Sequence, residues 1–231
     1  MREIDTKRPI WSYKGVTGPD RWSSLSDSFQ PCDSGLRQSP IDITGYERAT
    51  ETHIEFLYNS KPIGVYNNGR TITVWYHPDS YVVTSTGVFE LVQAHYHAPS
   101  EHLIDNRRYS AEIHIVHENS ESDLAVVALM VEVGDANTLV DGLITTSESK
   151  RSPYGTHPML HSRFLKPRAN GYFHYIGSTT TPPCIEPVDW FIMEGSLTVS
   201  ADQLAALTSA TRGPNNRAIQ PLNGRTIRHV T

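Results

Sequence analysis

The sequence is poor in cysteine. It holds two in 231 residues, Cys32 and Cys184, too far apart for a Cys-X-X-Cys knuckle, so a metal held by a local thiolate cluster is excluded. On the residues alone they are two free thiols or one long-range disulfide. A bridge across so long a loop would stabilise by on the order of 5 kcal/mol in a chain-entropy treatment and would belong to an oxidising compartment. Long apolar runs are lacking: the longest, 125–131, is far short of a bilayer span. The opening Met-Arg-Glu-Ile-Asp lacks the apolar core of a signal peptide. Blocks of like charge are also missing and the formal charge is only -5. That removes the footprint of a nucleic-acid binder and the basic amphipathic stretch of a membrane-surface helix. A small neutral or anionic substrate stays open.

What is present fits one globular domain over 1–231, with 38% hydrophobic and 19% charged residues and length enough to bury a core. Short β-type runs at 54–58, 71–76, 81–84, 89–98, 111–116, 124–133 and 190–194 are punctuated by Asn-Gly, Pro and Gly. They predict a mostly β, α+β single domain built on one sheet or barrel with few short helices. The clearest helix follows Ser200, with Gln203 completing a capping box, Leu204 and Leu207 on one face and Gly213-Pro214 as the stop. A second is predicted over 138–144. Residues 1–30, rich in Trp, Tyr, Gly and Pro, read as irregular N-terminal wrapping of the same domain.

The chemistry sits in three histidines on two strand-like runs, His95 and His97 in Gln-Ala-His-Tyr-His and His114 in Glu-Ile-His-Ile-Val. Side chains alternate along a strand, so Gln93, His95 and His97 share one face, and Glu112, His114 and Val116 share another. A lone His-X-His is usually an ordinary hydrogen-bonded pair. A second strand with its own histidine and an acidic residue two positions earlier points to three imidazoles converging on a metal. Three neutral nitrogen ligands with a fourth position open to water suit a catalytic zinc, which lowers the pKa of that water to about 7. Gln93 and Glu112 are placed to take the other ring N–H of His95 and His114.

Eight blocks occur in order along nearly the whole chain: Trp11-Ser-Tyr13, Gly18-Pro-Asp-Arg-Trp22, Gln38-Ser-Pro-Ile-Asp-Ile43, Asn67-Asn-Gly69, His95-Tyr-His97-Ala-Pro-Ser-Glu101-His102, Glu112-Ile-His114-Ile-Val-His117, Tyr175-Ile-Gly-Ser-Thr-Thr180-Thr-Pro-Pro183 and Gln220-Pro-Leu-Asn-Gly-Arg225. Together they resemble the α-class carbonic anhydrases, of bacterial or secreted type. The resemblance implies a central twisted, largely antiparallel sheet and a conical zinc cavity. It also implies reversible hydration of carbon dioxide to bicarbonate, with esterase activity on the side and sulfonamide or anion inhibitors. By this likeness His95, His97 and His114 are the zinc ligands. Thr180 accepts a hydrogen bond from the zinc-bound hydroxide and passes its own proton to Glu101. Val116, Val126 and Trp190 match the apolar wall for carbon dioxide, beside Thr179 and Thr181. Cys32 and Cys184 match a pair bridged in exported members, which implies a disulfide and a periplasmic or secreted protein whose export signal has been removed.

Two positions depart from the family pattern. Thr179 stands where leucine is usual, making the pocket rim smaller and more polar. Arg70 stands where the fastest members carry a proton-shuttling histidine, and a permanently charged guanidinium cannot shuttle. Tyr13, Asn68, Thr73 and Thr181 are then the expected polar lining of a water path. The spacing His95-X-His97-X-X-X-Glu101 also fits a cupin-type metal oxygenase, which would make Glu101 a ligand of iron or manganese and leave Thr180 idle. A catalytically silent binding module of the same fold is the other alternative. No nucleic acid or membrane partner is expected, and a homodimer is left open.

Overall fold

The structure, a computed structural model, describes residues 9–50, 54–148, 157–168 and 171–231. Among them eleven strands form one mixed sheet. Its central order is Tyr172–Gly177, Val188–Val199, Leu124–Val133, Ala111–Glu118, Gly87–His97 and Ile72–Tyr76. Most neighbours are antiparallel, but Leu124–Val133 runs parallel to Val188–Val199. Residues 125–131, the longest apolar run of the sequence, form the middle of Leu124–Val133, which is central and covered on both faces there. Val127, Leu129 and Val131 enter one core with helices Thr138–Glu148 and Ala201–Ala210, whereas Val126, Ala128 and Met130 enter a second with Ile41, Ile43 and Trp190.

The first of these cores contains Leu91 and Phe89 but also Ala94 and Tyr96, which strict alternation along one strand would send to opposite faces. The register supplies the reason: Val116 pairs with Gln93 while His117 pairs with Leu91, so Val92 is an extra residue. This bulge resets the parity. It lets Gly87–His97 bury Phe89 and Leu91 on the side of the core and then aim Gln93, His95 and His97 at the other face.

The expected strands are present with small shifts at their ends, except that 190–194 is the middle of the longer Val188–Val199. Pro62–Asn67 and Tyr172–Gly177 are additional strands. The capping box forms, with Ser200 Oγ accepting from Gln203 N at 3.1 Å and Ser200 N donating to Gln203 Oε1 at 3.0 Å. Gln203 Nε2 then donates to Asn137 O and Asp141 Oδ1, which fastens this helix to Thr138–Glu148. That second helix reaches Glu148 instead of stopping at 144. Near the N-terminus, short helical turns bury Trp22 against Trp11 and Tyr13, ring edges to faces at 5.4 and 5.9 Å. Cys32 and Cys184 are joined in a disulfide beside this cluster. No helix among the described residues is long and apolar enough to cross a membrane.

His117 is fully buried behind the sheet, donating Nδ1–H to Ala125 O at 3.3 Å and accepting the Tyr58 hydroxyl at Nε2, 2.7 Å away. Burial lowers its pKa to about 4, so it stays neutral in the fold and must charge on unfolding in mild acid. Its contribution is fully present above the unfolded value near 6.5 and is lost as pH falls toward 4. The His117→Gln variant should therefore lose about 2 kcal/mol less stability than wild type between pH 7 and pH 5, read by urea unfolding of the metal-free proteins. Identical slopes would refute a neutral buried His117.

Candidate metal centre

Register alone brings the three histidines together. His95 lies opposite His114 on one side and opposite Thr73 on the other, while His97 lies opposite Glu112. Ring centroids are 5.0 Å apart for His95 and His97, 5.2 Å for His95 and His114, and 4.6 Å for His97 and His114. One ring nitrogen from each lies within 4.8 Å of the others.

Each ring is held from behind. His95 Nδ1 donates to Gln93 Oε1 at 2.9 Å, His97 Nδ1 to the Asn215 carbonyl at 2.7 Å, and His114 Nε2 to Glu112 Oε1 at 2.8 Å. These acceptors assign the tautomers and leave the lone pairs on Nε2, Nε2 and Nδ1 facing the common centre. Burial, reinforced for His95 by the other two rings, holds His95 well below the ordinary histidine range, takes His97 down to about 4 and lowers His114. All three are neutral at physiological pH. His97 Nε2 is buried with no hydrogen-bond partner, an expensive state for an acceptor that a cation relieves. The residues therefore fit a metal, and three imidazoles without thiolate or carboxylate suit zinc. A second cluster, His102, Glu112 and His114, is satisfied internally: Glu112 Oε1 already takes His102 Nδ1 at 2.7 Å and His114 Nε2.

Glu101 is fully buried, and its Oε1 accepts the Arg217 backbone N–H at 2.7 Å. Its Oε1 lies 3.4 Å from His97 Nδ1, the nitrogen turned away from the centre, and its Oε2 lies 3.9 Å from His114 Nδ1; neither oxygen falls in the group made by the three histidines, as the oxygenase reading requires. Burial pushes its carboxyl up to about 7, opposed by His114, the Thr180 hydroxyl and the Arg217 N–H. Thr180 is buried and near enough to favour the charged carboxylate, although Oε2 has no partner of standard hydrogen-bond geometry. The loop after Thr180 is tied by Cys184 N to Thr181 O at 2.9 Å and by Thr179, whose hydroxyl donates to Thr181 O and accepts from Ile185 N. The hydroxyl that distinguishes Thr179 from leucine is thus spent on the loop.

Val116, Val126, Trp190 and Tyr175 form one cross-strand row. Trp190 is 1% exposed, its indole donates to Ser178 O at 2.9 Å, and its ring lies 4.8 Å from His114. Trp190 and Val126 are buried in the second core, whereas Val116, two residues after His114 on the same strand, is only partly covered. Arg70 lies over the Trp11 ring at 4.7 Å. Asn68 Oδ1 is committed to Arg70 N and Thr71 N, and the Tyr13 hydroxyl is buried without a partner.

Sequence reasoning missed Asn215 and Arg217. Both act on the histidines and on Glu101 through backbone atoms, which leave no side-chain signature. Arg217 also donates to Gln38 Oε1, Ser39 O and Cys32 O, so the Gln-Ser-Pro block and the disulfide converge on Glu101. His102 was visible in its block; its role, bridging Glu112 and the Tyr175 hydroxyl at 2.6 Å, was not.

The chain matches the family model described as eukaryotic-type carbonic anhydrase across residues 17–231. A carbonic anhydrase of Pectobacterium carotovorum is 35% identical over 226 residues, 95% of this chain and 90% of the relative. One from Klebsiella pneumoniae is 36% identical over 221 residues, 94% and 89% respectively. The α-carbonic anhydrase of Thermovibrio ammonificans, solved with sulfanilamide, superposes with a TM-score of 0.88 at 33% identity over 96% of this chain and 100% of that one.

Elemental analysis of protein loaded with zinc and desalted should find one equivalent per chain. His114→Ala should retain less than about a tenth of that under the same dialysis, because two imidazoles hold zinc weakly. Stoichiometric zinc in the variant would remove His114 from the ligand set.

Proposed function

This chain belongs to the eukaryotic-type carbonic anhydrase family, and we propose that its site for the reversible hydration of carbon dioxide is the cluster of His95, His97 and His114, with zinc as the metal. The observation that carries the reading is the convergence of three ring nitrogens whose opposite nitrogens are all committed to acceptors. When bound, zinc supplies Lewis acidity that makes a water-derived nucleophile available near pH 7.

The chain's own residues then have separable tasks. Gln93, the Asn215 carbonyl and Glu112 fix the three imidazoles in orientation and tautomer. A threonine hydroxyl can donate only one proton. If Thr180 gives it to the Glu101 carboxylate, its oxygen is left as an acceptor, which aims the attacking oxygen's lone pair toward the substrate. Arg217 N–H keeps Glu101 oriented for that purpose. Carbon dioxide carries no charge to grip, so a loose apolar contact at Val116, backed by Val126 and Trp190, suffices. Activated esters present a carbonyl to the same nucleophile, which supports a side esterase activity, and an anionic sulfonamide nitrogen would compete for the same centre. The disulfide supports an exported protein, periplasmic or secreted.

An arginine guanidinium stays charged at any working pH, so the position that Arg70 occupies offers no side chain to relay the released proton. Stopped-flow hydration assays with zinc-loaded protein test the scheme. Thr180→Ala should retain zinc and lose roughly 10- to 100-fold in kcat/KM; an unchanged value would leave Thr180 and Glu101 with structural roles alone. Arg70→His should raise kcat in dilute buffer by more than it changes kcat/KM, since only proton release gains a group titrating near neutrality. A wild-type kcat already fast and indifferent to buffer would contradict this account of Arg70.

A further inference from the structure

A cleft of about 250 Å³ opens between the N-terminal segment, the turn at 68–70 and the segment at 211–214. Among the described residues its charged lining is Lys14, Arg70 and Arg212, with no carboxylate. Among the described residues none of the three forms an ion pair: Lys14 Nζ donates to the Arg212 carbonyl at 3.2 Å, and the Arg70 guanidinium rests on Trp11 with Nε buried and unpartnered. Two glycines with positive φ give the cations room. A Cβ on Gly213 would stand 2.6 Å from Lys14 Nζ, and one on Gly69 would stand 3.1 Å from Arg212 Nε. Three positive charges with no carboxylate partner among the described residues, in a chain of formal charge -5, repel one another and favour a multivalent anion between them. The cleft also abuts the metal centre, because Tyr13 lines it while its ring lies 6.4 Å from that of His97.

We propose that this cleft docks a small oxyanion base of the hydrogen phosphate class, and that the docked anion takes up the proton released by hydration. The proposal rests on the reading of function given above. In the net reaction carbon dioxide, water and hydrogen phosphate give bicarbonate and dihydrogen phosphate. One C–O bond forms, one water O–H bond breaks, its proton moves to a phosphate oxygen, and nothing is oxidised or reduced. Protonation removes one negative charge from the docked anion, so the product is held less tightly by the three cations and leaves. A neutral base becomes a cation when protonated and gains nothing from the cleft.

Two measurements on wild type and on the Lys14→Gln/Arg212→Gln double variant test this. The first is phosphorus NMR titration of inorganic phosphate against the metal-free proteins, in which no metal competes for the anion. Wild type should broaden the signal saturably, and the variant should bind roughly tenfold more weakly. The second is kcat of the zinc-loaded proteins in phosphate against 1,2-dimethylimidazole at equal pH and concentration of base. The phosphate-to-imidazole ratio should fall at least about threefold in the variant. Equal phosphate affinity in the two proteins, or an unchanged ratio, overturns the proposal while leaving hydration itself intact. Absence of hydration in every buffer overturns the functional reading, and the acceptor role with it.

Discussion

The site depends on one buried carboxylate. Glu112 Oε1 takes His114 Nε2 and His102 Nδ1, and Oε2 takes the backbone N–H groups of Glu101 and His102, each at 2.8 Å. Burial alone would push this carboxyl up, but His102 and His114, through charge and hydrogen bonds, hold it well below the usual range. A single anion thereby sets the His114 ring, anchors the turn that carries Glu101 and seats His102 against Tyr175. Removing it would leave several buried donors orphaned at once, a loss on the order of 3–5 kcal/mol. Glu101, covered to the same degree, is pushed up to about 7 by burial, opposed first by His114 and then by Thr180 and the Arg217 N–H. Two carboxylates on neighbouring strands and turns thus reach opposite protonation tendencies through the imidazoles that face them rather than through burial.

Much of this was legible in the sequence because it follows from period-2 alternation. Gln93, His95 and His97 had to share a face, as did Glu112, His114 and Val116. The Ser200 capping box and the strand Leu124–Val133 were equally readable, the first from a fixed spacing and the second from the apolar run 125–131 within it. Pro62–Asn67 was hidden because Pro62 and Gly64 read as turn residues, although an edge position tolerates both. Tyr172–Gly177 carries ordinary β-forming residues and could have been found from Tyr-Phe-His-Tyr-Ile. The bulge at Val92 has no marker, since a valine in a bulge looks like any other. Asn215 and Arg217 escaped because what they offer the site is a carbonyl and an N–H, which every residue possesses.

The departures from the family pattern acquire physical content only in three dimensions. Thr179 spends its hydroxyl on Thr181 O and Ile185 N, stiffening the loop that holds Thr180. Arg70, stacked on Trp11, belongs to the same aromatic group that encloses Trp22 and the disulfide. The N-terminal turns therefore form one rim of the site as well as covering part of the core.

The disulfide from Cys32 to Cys184 divides the chain topologically. His95, His97, Glu101, Glu112, His114 and Thr180 all lie inside the covalent ring. Asn215 and Arg217, which brace His97 and Glu101, lie outside it on a tail fixed only by hydrogen bonds, packing and the strand Arg228–Val230. Peeling that tail away would leave the three histidines tethered yet unbraced. Opening of the C-terminal segment alone would therefore unbrace His97 and Glu101 while the covalent ring stays closed.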